Sequence, residues 1–165
     1  STDGKGLIRD LQEKKINLKN KEIVILGAGG VVPSIIYASI KMGSSEIMIS
    51  NRTEKNVEKV KNIFNNIKLV NWGETPDFDV IINATSLGLN QDDKINLDLT
   101  KVGKNKLFYD VIYNPSETNF LKIGKKLGNK CENGKFMFIY QAFSAFKLWH
   151  NVDPMINNET IKLLD

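Results

Sequence analysis

Cysteine is nearly absent from this chain: Cys131 is the only one in 165 residues, so no internal disulfide can form. A reducing, cytoplasmic setting is therefore expected. Histidine is equally scarce, with His150 alone. It follows Leu148 and Trp149 at the end of an apolar segment and is not expected to be catalytic. No His/Cys/Asp/Glu group has the spacing of a metal site, and none is expected. A Ser-His-Asp arrangement is likewise missing, since the lone His lies far from any nucleophile-elbow pattern. No apolar run approaches the roughly 18 residues that span a bilayer, and no signal peptide opens the chain, so a membrane partner is not expected. Lysines are scattered, with no run of five, and the net charge is a mild +4. That argues against a nucleic-acid partner. An initiating Met is missing too: the chain opens on Ser1-Thr2-Asp3-Gly4, which reads as a fragment or a processed product. What is present is ordinary for a globular domain, 41% hydrophobic and 25% charged residues, in a chain long enough for one real core.

Strand and helix patterns alternate. Leu7, Ile8, Leu11 and Ile16 recur at helical spacing over residues 5–16. Residues 22–26, EIVIL, form a near-continuous aliphatic run, as in a strand buried on both faces of a parallel sheet. A glycine turn follows, then a helix over 31–42 with Pro33 in its first turn and Gly43 at its end. Strands are expected at 46–50, 67–70, 79–83 and 106–112, with a short edge strand at 129–132. Helices are expected from the caps Asn51 or Thr53 to about Asn65, over 117–127, over 136–150 and over 157–164. This alternation predicts an α/β fold, a three-layer Rossmann-type, doubly wound parallel sheet with strand order 3-2-1-4-5-6.

The turn Gly27-Ala28-Gly29-Gly30-Val31 ends a strand and opens a helix. There a glycine permits the tight turn, a second lets the backbone approach a pyrophosphate, and the helix start offers free N–H groups. Val32 stands where a very small residue is usual, which predicts a helix held slightly away from the first strand. The next strand ends at Ser50-Asn51-Arg52-Thr53. An NAD-binding domain places an acid here for the ribose 2′-OH; no acid is present. Arg52 instead stands at a helix N-terminus, where a cation opposes the macrodipole. A 2′-phosphate supplies a reason for it, with Lys55 one turn on, so NADP(H) is the expected cofactor.

The GAGG and SNRT stretches occur in several families, including the glutamyl-tRNA reductase type. Four further stretches are more specific. Ser1–Gly6 (STDGKG), Asn83–Gly88 (NATSLG), Tyr109–Pro115 (YDVIYNP) and Tyr140–Trp149 (YQAFSAFKLW) resemble, in order, motifs of the shikimate dehydrogenases. The resemblance covers the whole chain and implies a single NADP-binding domain over 1–165. Residues 1–18 and 151–165 would be helices facing an N-terminal substrate domain that is missing from this chain. The activity implied is reversible hydride transfer between NADP(H) and 3-dehydroshikimate/shikimate, in chorismate and aromatic amino-acid biosynthesis.

Residue by residue, the resemblance implies that Asp3 pairs with a proton-donating Lys of the N-terminal domain. Asp3 is also a natural N-cap of the first helix. Tyr113 and Gln141 would reach the substrate, and Ala84, Thr85 and Ser86 would line the cofactor. Gly134 and Met137 would lie beside the nicotinamide. Departures from the family's pattern are Ser1, Phe136 and Asn56, where Asn, Gly and a second basic residue are common. The 165 residues alone are expected to be inactive. Two alternatives stay open, a quinate/shikimate relative using NAD and a non-catalytic NADP-binding module, as do monomer and homodimer.

Overall fold

The structure, a computed structural model, describes every residue from Ser1 to Asp165. Six parallel strands form one sheet in the order β3-β2-β1-β4-β5-β6, as the sequence pattern predicts. They are β1 (Glu22–Leu26), β2 (Glu46–Ser50), β3 (Lys68–Val70), β4 (Val80–Asn83), β5 (Leu107–Asp110) and β6 (Lys130–Glu132). The helices are α1 (Thr2–Glu13), α2 (Val32–Lys41), α3 (Glu54–Ile63), α4 (Asn119–Lys126), α5 (Lys135–His150) and α6 (Asn158–Lys162). No helix is long and apolar enough to cross a membrane.

Alternate residues of the central strands bury into opposite faces, as the period of two requires. Ile23, Ile25, Ile47, Ile49, Val80, Ile82 and Tyr109 join α1, α2 and Met137 of α5 in the larger core. Val24, Leu26, Met48, Ile81 and Phe108 join Phe120 and Leu121 of α4 in the smaller one. Helices cover the first face. The second has α4 alone, and Leu99 of the irregular 84–106 segment completes its core. Val32 is fully buried in the larger core, so the large residue after the turn is a packing residue of α2.

The helices at both ends of the chain differ in extent from the sequence reading, and β5 is shorter than the expected 106–112. Helix α1 starts at Thr2 rather than residue 5, although Gly4 and Gly6 lower its intrinsic helicity. A Cβ on Gly4 would lie 2.9 Å from the Ser34 carbonyl oxygen, and one on Gly6 would lie 2.4 Å from that of Met137. The glycines therefore let α1 press against α2 and α5. The helix does not continue to residue 18: it closes at Lys14, and Lys15 takes φ of 55°. At the other end only Asn158–Lys162 is helical. Asn151, with φ of 53°, terminates α5, and residues 151–157 run irregularly through Pro154.

Packing of α1 is fixed by a buried polar contact as well as by Leu7 and Leu11. The Tyr109 hydroxyl donates to Asp10 Oδ2 at 2.6 Å, and Asp10 is fully buried. Lys14 lies 3.0 Å from Asp10 Oδ1 and 2.7 Å from Glu132. Oδ1 has no well-directed hydrogen bond, so its charge is met by proximity to the ammonium group. Burial first, then the Asp10 charge, pushes the Tyr109 phenol well above its ordinary range, which keeps it a donor. Arg9 lies over the rings of Tyr140 and Phe143, at 4.4 and 4.8 Å from their centroids, and adds a second tie to α5. Tyr109→Phe removes the donor while leaving the ring. It should cost about 1–3 kcal/mol, read as a lower urea midpoint with an unchanged slope.

Candidate functional site

The strand register brings four loop starts to one level. Leu26 of β1 is paired with Ser50 of β2 and with Asn83 of β4, and Asn83 is paired with Asp110 of β5. The chain therefore leaves the sheet at Gly27, Asn51, Ala84 and Val111 along one edge. Connections from β1 and β4 diverge there, the topological switch point where open parallel sheets bind ligands.

Gly27 has φ of 109° and donates to Ser50 O at 2.8 Å; a Cβ would lie 2.8 Å from Ala84 O. Fold geometry thus demands glycine at this position. Gly29 and Gly30 differ, because a Cβ on either meets nothing within 4 Å. Space is left open beside them. The N–H groups of Ala28, Gly29, Gly30 and Val31 donate to no acceptor in the chain, and Val31 is the N-cap of α2 without a side-chain bond. Open space and free donors at a helix start make an anion cradle.

Beside it, Arg52, Thr53 and Lys55 are exposed, and none of the chain's ion pairs involves either cation. Thr53 occupies the N-cap of α3 without a side-chain bond. The Asn51 amide donates to Thr53 O at 2.8 Å, so neither residue makes the capping bond that the sequence suggests.

Across the switch point, Ser86 is exposed, whereas Ala84 is buried. The Thr85 hydroxyl is committed: it donates to Asn83 Oδ1 at 2.7 Å and accepts from Leu87 N–H at 3.0 Å. Thr85 shapes the loop. Beneath it, Asn83 and Asp110 are fully buried and bonded to each other. Burial pushes the Asp110 carboxyl up, opposed by hydrogen bonds from Thr118, Ile112 and Asn83. Sequence reading gave these residues no role. The signal was a carboxylate ending the apolar run Leu107-Phe108-Tyr109, where a buried charge must find partners.

The residues expected near substrate lie on α1, on α5 and in the segment after β5. Tyr113 is half-buried, stacks on Phe138 with centroids 4.8 Å apart, and its hydroxyl makes no bond within the chain. Gln141 accepts from the Thr2 hydroxyl at 3.3 Å, which joins α5 to the start of α1. Asp3 stands in the first turn of α1, and the N-cap is Ser1, not Asp3. Ser1 also donates to Asp3 Oδ2 at 2.7 Å. Gly134 is buried where a Cβ would fall 2.1 Å from Val111 O. Met137 lies in the larger core, only 5% exposed, and Phe136 takes Lys14 over its ring at 5.4 Å. His150 is exposed and packs on Phe146. No three His, Cys, Asp or Glu side chains are grouped to hold a metal ion.

The sequence profile described as Shikimate / quinate 5-dehydrogenase matches residues 10–113. The chain belongs to that family. It is 53% identical, over its full length, to the shikimate dehydrogenase (NADP(+)) of Pelagibacter ubique, and covers 62% of that protein. A shikimate dehydrogenase solved with NADP+ is 35% identical, with a TM-score of 0.82 over 99% of this chain and 60% of the other. The Thermus thermophilus shikimate 5-dehydrogenase, solved with NADP(H) and shikimate, is 26% identical, with a TM-score of 0.83 at the same coverages. The chain thus spans about three fifths of the length of the curated relatives it matches.

The two kinds of glycine in this family member's turn respond differently to substitution. Gly27→Ala should lower stability by about 1–3 kcal/mol, because it strains the backbone and meets Ala84. Gly30→Ala should stay within about 0.5 kcal/mol of the parent. Thermal melts of the two variants check both.

Proposed function

We propose that this chain is the NADP(H)-binding part of a shikimate dehydrogenase, acting in reversible hydride transfer between NADP(H) and 3-dehydroshikimate/shikimate. The observation that carries the reading is the adjacency of two features on one sheet edge. One is the cradle of free N–H groups over Gly27, Ala28, Gly29, Gly30 and Val31; the other is the exposed, unpaired Arg52. The first suits a pyrophosphate. Arg52, with Asn51, Thr53 and Lys55, suits a 2′-phosphate in a place that holds no acid for a 2′-OH.

Bound there, the cofactor supplies the hydride. The chain's own residues bind and orient. The 84–86 loop bounds the cofactor through its backbone and the exposed Ser86, and Gly134 sets the start of α5 beside the nicotinamide side. Met137 supports that region from the core. Tyr113 brings a free phenol and Gln141 a free amide N–H₂ toward the substrate. Asp3 offers a carboxylate to hold a protonated Lys in position, and such a Lys delivers the proton to the carbonyl oxygen.

No cation of this chain pairs with Asp3. We assign that Lys to the further length that the matched relatives carry, with α1 and the 151–165 segment facing it. A cytoplasmic setting belongs to the same reading, supported by the single cysteine.

Arg52→Ala should weaken NADP(H) by roughly 1.5–3 kcal/mol and leave NAD(H) nearly unchanged, measured by calorimetric titration of both cofactors. Equal weakening of the two would remove the 2′-phosphate role. The purified 165 residues should bind NADP(H) yet turn over no shikimate; turnover in a steady-state assay would overturn the assignment of the proton donor to another segment.

A further inference from the structure

Asp110 ends β5 fully buried, with no Lys, Arg or His within ion-pair distance. An apolar residue would be cheaper to bury at such a place. Both of its oxygens are nevertheless used, and they are used on different segments. Oδ1 accepts from Asn83 Nδ2 at 3.1 Å and from Ile112 N–H at 3.0 Å. Oδ2 accepts from the Thr118 hydroxyl at 2.6 Å.

Asn83 carries the contact into the loop after β4. Its amide group donates to Leu87 O at 3.0 Å, and its oxygen accepts from the Thr85 N–H and hydroxyl at 3.1 and 2.7 Å. On the other side lies the segment 111–118, which holds Tyr113 between the two residues that Asp110 grips. The loops also touch directly: a Cβ on Gly88 would sit 3.0 Å from Thr118 Cγ2 and 3.2 Å from Ile112 Cδ1. Because Asn83, Asp110, Ile112 and Thr118 are buried and joined through the Asp110 carboxylate, loosening one frees its neighbours.

We propose that Asp110 is a positioning residue whose carboxylate clamps the Ala84–Gly88 loop and the Tyr113 segment into one unit, so that cofactor held on the first fixes the second. This rests on the reading that the 84–88 loop borders NADP(H). It goes beyond that reading by assigning a coupling between the cofactor side and the substrate side, carried by a residue that touches neither ligand.

The test is NADP(H) titration together with amide hydrogen exchange at residues 84–88 and 111–118, in the parent and three variants. Asp110→Ala removes both acceptors. Asp110→Asn keeps an oxygen at the Oδ1 position, with an amide that Thr118 can bond by accepting. Thr118→Val cuts the Oδ2 arm, together with the cap that the Thr118 hydroxyl gives the Leu121 N–H at the start of α4, and stands in should Asp110→Ala fail to fold. In the parent, NADP(H) should slow exchange in both segments. In Asp110→Ala or Thr118→Val, cofactor-induced protection at 111–118 should vanish and affinity should fall about tenfold. Asp110→Asn should recover both to within about threefold. Protection confined to 84–88 in the parent overturns the coupling while leaving NADP(H) binding intact. A lower melting temperature with unchanged affinity and unchanged protection at 111–118 makes Asp110 merely structural and also overturns it. No NADP(H) binding by the parent overturns the cofactor reading itself, and the coupling with it.

Discussion

A buried hydrogen bond, from the Tyr109 phenol to Asp10, gives the packing of the first helix its direction, and Thr2 and Asp3 at that helix's start inherit the placement. Helix α1 carries Thr2 and Asp3 at its start and Asp10 about two turns later on the same rigid rod. Asp10 is held on the sheet by Tyr109 and faced by Lys14, which is itself tied to β6 through Glu132. Hydrophobic burial of Leu7 and Leu11 alone is non-directional and tolerates sliding. A fully buried carboxylate does not, because moving it leaves an uncompensated charge behind. The helix is therefore locked in register, and its N-terminus meets Gln141 on α5. Glycines at 4 and 6 make the approach close enough for that meeting.

Strand β5 shows how much a short segment can do when its faces alternate. Phe108 enters the smaller core, where it packs against Phe78 and Phe120. Tyr109 enters the larger core and reaches Asp10. Asp110, at the strand's end, returns to the face of α4, where it meets the N-cap Thr118 and joins the polar network under the loops after β4 and β5. Successive residues thus serve the back of the sheet, the docking of α1 and the loops. A one-residue slip in register would misplace all three at once. Flush pairing of Asn83 with Asp110 keeps the network level with the glycine turn across the switch point.

Much of this was legible in the chain itself. The strand order, the glycine turn and the Arg52 position follow from local pattern, since buried parallel strands and strand-turn-helix junctions leave strong periodic signals. Helix boundaries were less legible. The apolar spacing starts the first helix at residue 5, yet α1 begins at Thr2 and holds both Gly4 and Gly6, because close packing against Ser34 and Met137 outweighs roughly 1 kcal/mol of propensity at each. The roles of Tyr109, Asp110 and Thr118 were not legible as contacts, for their partners stand at sequence separations of 99, 27 and 8 residues. Only the chemistry hinted at them: an acid directly after three apolar residues requires partners, but nothing local names them. Met137 shows the reverse limit. Its place in a motif suggests a ligand contact, while its burial makes it chiefly a core residue.

The glycine turn separates two demands that a motif merges. Gly27 is glycine because φ is positive and Ala84 crowds it; the protein itself requires this. At Gly29 and Gly30 nothing in the protein would object to a methyl group. Their smallness leaves room at the turn, and the four free N–H groups beside them suit a ligand that carries acceptor oxygens. Arg52 makes the same kind of statement by charge. At the start of α3 a cation is disfavoured by the helix macrodipole, and no carboxylate of the chain relieves it. Steric room without a packing reason, donors without acceptors and a cation without a counter-charge converge on one sheet edge. Together they suit the phosphates of the proposed cofactor, placed along the switch point.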